Sequence, residues 1–310
     1  MTIFNTTKEL IKAYENGYNA TIFDNKENDN VLQHLKYPIF GDAAQNIKGS
    51  GLGKIALPYK LVRKYDKNFA SDENQLTGDC TSHGCRNATT ISLVSDIEER
   101  LEAEGYAGRL ATEVIYGYRG HGGQGMSVAR AVNFLSDIGG IALRRKYGKY
   151  DLSKYNPQIG INWGRTGVPK SVISEINTNK VLTVSLSRAV DELRDAIYNG
   201  YGIVVGSNVG FSSKRDKNGI SNPKGSWNHA MCFGGMDDTK TRSSETLFLI
   251  LNSWADWNSG PKAYDQPDGS FWITATVADK MISQRQTWVI GNVNGFPAKS
   301  VNWGLFDDIL

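Results

Sequence analysis

"GDCTSHGC", residues 78–85, sets two of the chain's three cysteines five positions apart where a helical pattern begins. From there Gly84, Ala88, Ile91, Val94, Ile97 and Leu101 recur every three or four residues, and Gly105 follows as a stop. Unpaired N–H groups and the helix dipole at such a start favour a thiolate, so the pattern predicts Cys80 as a low-pKa thiol. Position alone leaves four roles open: metal ligand, half of a disulfide, small buried residue or nucleophile. Cys80 and Cys85 would stand more than a helical turn apart, a poor geometry for a bridge. Three cysteines are too few for a disulfide framework, and they form no zinc-finger spacing with His34, His83, His121 or His229. All three thiols are expected to be reduced, which fits a cytoplasmic origin, and no metal or organic cofactor is expected.

The chain has 310 residues and a net charge of +3, with both signs interspersed. That length accommodates a sizeable core. The charge leaves no nucleic-acid footprint and no polybasic membrane patch. The first twenty residues lack a basic region followed by an apolar core, and no apolar run reaches the roughly 18 residues of a membrane span.

Residues 1–54 read as an N-terminal extension. It comprises a short helix after Thr7 ending at Gly17, a polar loop "DNKENDN" (24–30) and a glycine-rich hinge or linker "KGSGLGK" (48–54). Further helices fit 127–140, with Val128, Val132 and Leu135 inward, and 188–200, with Val190, Leu193 and Ile197 on one face. Short β-type runs follow at 202–209, 230–236, 246–252, 270–276 and 287–293. Helices before strands predict an α+β fold with two lobes.

A nucleophilic Cys80 needs a base and an orienting group. His229 opens the run in "SWNHAMCFGG" (226–235), where it can face a cleft as general base. Asn252 ends the apolar run in "LFLILNSWADWNSG" (247–260), where its amide oxygen can fix the imidazole. Trp254 can shield that bond from water. Together "QLTGDCTSHG", "NHAMCFGG" and "LILNSWADW" resemble the papain-like cysteine peptidases, in the order Cys, His, Asn. "ALPYKLVRKYD" (56–66), "GHGGQGMSVARAVNFLSDIGGI" (120–141), "VDELRDAIYNGYGIVVGSNV" (190–209) and "DGSFWIT" (268–274) extend the resemblance over roughly 55–295.

The resemblance implies a domain over 55–310, with a helical lobe at about 70–150, an antiparallel β-barrel lobe at about 151–300 and the active-site cleft between them. It implies Cys80 as nucleophile, His229 as base, Asn252 as orienter and Gln75, in preference to Asn74, as oxyanion donor. Gly122, Gly123 and Trp254 would bind a peptide or protein substrate. This sequence departs from the family pattern: Thr81 follows the nucleophile where Trp is usual, Thr77 replaces a disulfide cysteine, and Ala255 replaces Gly. These losses resemble divergent bacterial and phage members. Only about 55 residues precede the match, so no long inhibitory pro-segment is expected to wrap the cleft. The apolar residues Ile3, Phe4, Leu10, Ile11 and Tyr14 suggest instead that residues 1–50 dock on an assembly partner or neighbouring subunit.

Asp79 reads as the helix N-cap, pointing away from the thiolate, and His83 as a packed or cleft-lining histidine with a rival Cys–His pairing left open. The reading is a thiol hydrolase, foremost a cysteine peptidase, in the cytoplasm or a virion. The alternatives are a weakly active or inactive structural protein, such as a phage virion component, and an acyltransferase or cell-wall amidase with the same triad.

Overall fold

In the computed structural model, which describes residues 2–18, 20–71, 74–100 and 106–291, the helix that begins at Cys80 lies across an antiparallel sheet. The N-terminal part contributes α1 (Thr7–Glu15), α2 (Asn25–His34), α3 (Phe40–Ala43), β1 (Ile55–Ala56) and α4 (Pro58–Arg63). The long helix is α5 (Cys80–Arg100), followed by α6 (Glu113–Gly117) and α7 (Val128–Asn133), which runs into a π-helical turn over 134–138. A two-stranded ribbon, β2 (Lys146–Tyr147) with β3 (Tyr150–Asp151), leads to α8 (Pro157–Thr166) and α9 (Lys170–Ile176). The remainder is β4 (Thr183–Leu186), α10 (Val190–Tyr198), β5 (Gly202–Phe211), β6 (Pro223–Asp237), β7 (Leu247–Leu251), β8 (Phe271–Thr274), α11 (Ala275–Ile282) and β9 (Thr287–Gly291). Leu101, Gly105 and the end of the last sequence-predicted strand lie outside the described residues.

The α+β two-lobe expectation holds, with one correction. The strands run β4-β9-β5-β6-β7-β8, with β1 added on β6, and among the described residues this path does not close into a barrel. Both faces of the open sheet are covered. One core joins it to α5, α6 and α7, and the other packs its opposite face with α10, α11 and aromatic side chains.

Small residues let α5 lie close to the sheet. A Cβ on Gly84 would stand 2.9 Å from the Met231 carbonyl oxygen, and one on Gly202 only 1.7 Å from that of Ala88. Backbone contacts this close leave no room for a side chain. The predicted inward face of Ala88, Ile91 and Val94 is fully buried.

Two local expectations fail for non-local reasons. The polar stretch 24–30 is not a loop: all of it after Asp24 is helical in α2. Asp24 caps it by accepting from the Glu27 N–H at 2.9 Å, and Arg130–Glu27 (3.3 Å) and Arg285–Asp29 (2.8 Å) pairs fasten it to the body. The glycine-rich stretch 48–54 is pinned: Asp195 accepts from the N–H groups of Gly49 and Gly51, and Asp238 accepts from that of Gly53.

Candidate functional site

Cys80 is the first residue of α5 and is fully buried. Backbone N–H groups of Thr81 and of Ala230, the residue after His229, favour its thiolate. All three cysteines are free and buried.

Strand pairing brings the other two predicted residues together. β6 and β7 pair with Cys232 opposite Leu251, so one further step sets Asn252 level with Met231, two residues from His229 on the same face. His229 Nε2 lies 2.8 Å from Asn252 Oδ1. That oxygen also accepts the Ser253 N–H at 2.8 Å, which identifies it as the carbonyl end of the amide. His229 therefore donates through Nε2, and the lone pair that can take a proton sits on Nδ1, which has no hydrogen-bond partner. Trp254 stacks on the imidazole with centroids 4.3 Å apart and is itself 1% exposed, so it covers the His–Asn bond from one side.

Gln75 is fully buried and oriented. Its Oε1 accepts from Ser253 Oγ at 2.5 Å, and its Nε2 donates to the Thr77 carbonyl at 3.0 Å. A primary amide has two N–H donors, so one remains for another acceptor. Asn74 turns elsewhere, its Oδ1 accepting from the Ala255 N–H at 2.6 Å. Gly122 and Gly123 lie on an exposed loop. The close approaches occur at their neighbour Gly125 and at Gly78, which the sequence reading missed. A Cβ on Gly125 would stand 2.3 Å from the Thr21 backbone, and one on Gly78 would stand 2.5 Å from Gln124 Oε1.

What lies against these glycines is the chain's own N-terminus. Residues 2–18 and 20–22 do wrap the cleft, contrary to the expectation from the segment's length. The Phe4 N–H donates to the Leu76 carbonyl (2.9 Å), and Thr77 Oγ1 donates to the Thr2 carbonyl (3.0 Å). Leu10, Tyr14, Ala20 and Ile22 are buried. Tyr14, on the last turn of α1, meets Cys80, His229 and Trp254. Its hydroxyl faces Cys80 Sγ at 3.9 Å, and its ring lies 5.6 Å from the His229 ring and 5.1 Å from that of Trp254. Beside it an open groove lined by Trp227, Trp257 and Lys224 remains accessible. The only sequence signal for this plug was the four-residue spacing of Leu10 and Tyr14 on one helical face.

Burial overrides the helix-start effect in this closed state. It pushes the Cys80 thiol up to about 11, with Asp79 adding to the rise against the backbone and Tyr14 donors. Burial also pulls His229 down to about 4, opposed by Asn252 and reinforced by His83. The expected low-pKa thiol is absent, and both groups are neutral at pH 7.

A stability profile follows from these shifts. Between His229's ordinary 6.5 and about 4, the unfolded chain carries a proton the folded chain lacks. Stability present above pH 6.5 is thus lost as pH falls through about 4, on the order of 3 kcal/mol from this group at 1.36 kcal/mol per unit. Above Cys80's ordinary 9.0 the sign reverses, and stability present below that pH is lost as pH rises through about 11. Thermal melts should show a plateau between these limits, and His229→Gln should flatten its acid side. An acid limb identical in the variant would contradict the assignment.

Comparison with known proteins bears on the fold. No family model and no curated protein matches the chain. Solved structures do. Xylellain, a cysteine protease from Xylella fastidiosa, aligns at a TM-score of 0.54 and 18% identity, covering 89% of this chain and 96% of that one. The Amb a 11 cysteine protease, a ragweed pollen allergen, in its proform aligns at 0.54 and 12% identity, covering 93% and 77%. The procathepsin B of Trypanosoma congolense aligns at 0.52 and 10%, covering 90% and 88%. The chain has the papain-like fold. Among the described residues, no helix is long and apolar enough to cross a membrane.

Proposed function

We propose that the chain is a papain-like thiol hydrolase, a cysteine peptidase whose cleft is held shut by the N-terminal segment that carries α1. One observation carries this reading: His229 donates through Nε2 to Asn252 at 2.8 Å, which leaves Nδ1 as the basic nitrogen of a ring whose neighbouring residue, Ala230, contacts the Cys80 sulfur. A buried histidine with only a packing role does not require an oriented amide and an unclaimed nitrogen.

Once the plug leaves, His229 Nδ1 takes the Cys80 proton, and the thiolate attacks the carbonyl carbon of a peptide bond. Negative charge moves to the carbonyl oxygen, and in this reading the Cys80 N–H and the second N–H of Gln75 are the donors that receive it. His229 then gives its proton to the departing amine, leaving a thioacyl-enzyme. Water, deprotonated by the same nitrogen, releases the acid and restores the thiol. No step calls for a metal or an organic cofactor.

The test uses the full chain and its Tyr14→Ala variant with a diverse peptide mixture and an active-site-directed thiol reagent. Hydrolysis that vanishes in Cys80→Ala, with label mapped to Cys80, supports the peptidase. An opened chain with unreactive Cys80 and no hydrolysis would favour an inactive structural protein.

In the opened chain Gln75→Ala should lower kcat about 10²–10³-fold, the usual cost of an oxyanion donor, with little change in KM. Asn74→Ala should leave kcat within a few-fold, because its amide holds the Ala255 N–H. Reversal of that order would move the donor role to Asn74.

A further inference from the structure

Asp79 was expected to cap α5 and does not. Its carboxylate, 2% exposed, turns sideways: Oδ2 accepts from the Tyr155 hydroxyl at 2.7 Å and lies 3.5 Å from His83 Nε2, while Oδ1 has no hydrogen-bond partner. His83 is fully buried one turn along the same helix, edge-on to the Tyr155 ring at 5.2 Å, and neither of its nitrogens makes a hydrogen bond. The Tyr155 oxygen also accepts the Leu76 N–H at 3.2 Å. One phenol therefore ties Leu76, next to Gln75, to Asp79, next to Cys80. The segment between those two ties, 76–79, sets the distance from oxyanion donor to nucleophile.

A buried carboxylate beside a sulfur that must become an anion works against the reaction unless its charge is compensated. The buried imidazole at ion-pair distance is placed to do so. We infer that Asp79, His83 and Tyr155 are positioning residues beneath the nucleophile: Tyr155 clamps the 76–79 segment through Asp79, and His83 offsets the Asp79 charge that Cys80 would otherwise face. The inference rests on the peptidase reading only in taking Cys80 as the nucleophile.

The other ionisable groups that face Asp79 are Tyr14 and Tyr18 on the plug, and Tyr116 and Arg119 at and after α6. His83 faces His229 across the site. Tyr155 meets Glu113, which is paired with Arg144 at 2.5 Å, and the Arg144 guanidinium lies over its ring. Arg144 is taken up by Glu113, and Arg119 reaches Asp79 from beyond α6; His83 is the group at ion-pair distance on α5 itself, and it answers the Asp79 charge when it carries a proton.

The experiment measures the pH dependence of Cys80 alkylation by iodoacetamide in the full-length Tyr14→Ala chain, with label mapped by residue. Asp79→Asn keeps an oxygen for Tyr155 and removes the charge, so the midpoint should fall by about one pH unit, the effect of a single neighbouring charge. His83→Gln removes the compensating group and should raise the midpoint by a similar amount. Tyr155→Phe should also raise it, and should lower kcat more than it changes KM. A general loosening of the fold cannot move Asp79→Asn and His83→Gln in opposite directions. Shifts of the same sign, or none, would overturn the inference. Alkylation needs no turnover, so opposed shifts in a chain that hydrolyses nothing would support the unit while counting against the peptidase.

Discussion

Tyr14→Ala should raise the rate at which a small thiol reagent modifies Cys80 by about a hundredfold or more at pH 7. Cys80 and His229 are both fully buried, and Tyr14 is the side chain whose hydroxyl faces the sulfur and whose ring meets both the imidazole and Trp254. Truncating a buried aromatic residue costs about 3–5 kcal/mol, and each 1.4 kcal/mol shifts an opening equilibrium tenfold. Some of that cost is recovered where the site relaxes, which keeps the expectation at the lower end. Leu10, Ala20 and Ile22 still hold the segment, so the variant should open locally without unfolding. Cys85 and Cys232, fully buried in the core, report global unfolding and should stay slow. Equal acceleration at all three cysteines would mean a destabilised fold. Rapid modification of Cys80 in the unmodified chain would mean the plug is not closed in solution.

The sequence made the site more legible than what covers it. The helix from Cys80 is a local pattern, with inward residues at three- and four-residue spacing and glycines where the sheet comes near. His229 and Asn252 lie 23 positions apart. Their meeting follows from the pairing of β6 and β7, which short apolar runs suggest but whose register they do not give. Contacts between distant segments were not readable. Asp79 looks like a cap within its own stretch, yet its partner Tyr155 stands 76 positions away. The stretch 48–54 looks flexible by composition, yet carboxylates of Asp195 and Asp238 hold its amides. The polar stretch 24–30 is helical because of its cap and its ion pairs with Arg130 and Arg285. Counting residues before the match made the N-terminal segment seem too short to wrap the cleft and turned the expectation towards a partner instead. A single aromatic residue on a nine-residue helix suffices to fill the space above one sulfur.

Asn252→Ala, made in the opened Tyr14→Ala chain, should lower kcat by about 10²–10⁴-fold, the range of a positioned acid–base group, while KM changes little. The size follows from two bonds to one oxygen. Asn252 Oδ1 accepts from His229 Nε2 and from the Ser253 N–H, both at 2.8 Å. The first bond selects the tautomer that leaves Nδ1 basic; without it the ring is free to present an N–H to the sulfur, which cannot take a proton. The second holds Ser253, whose hydroxyl donates to Gln75 Oε1, so its loss also loosens the oxyanion side. Asn252→Asp separates these roles, since it keeps an oxygen for both donors and adds a charge that favours imidazolium. It should retain clearly more activity than alanine, with the alkaline limb of kcat displaced upward. Equal losses in the two variants would reduce Asn252 to a packing residue, and full activity in the alanine variant would remove it from the site.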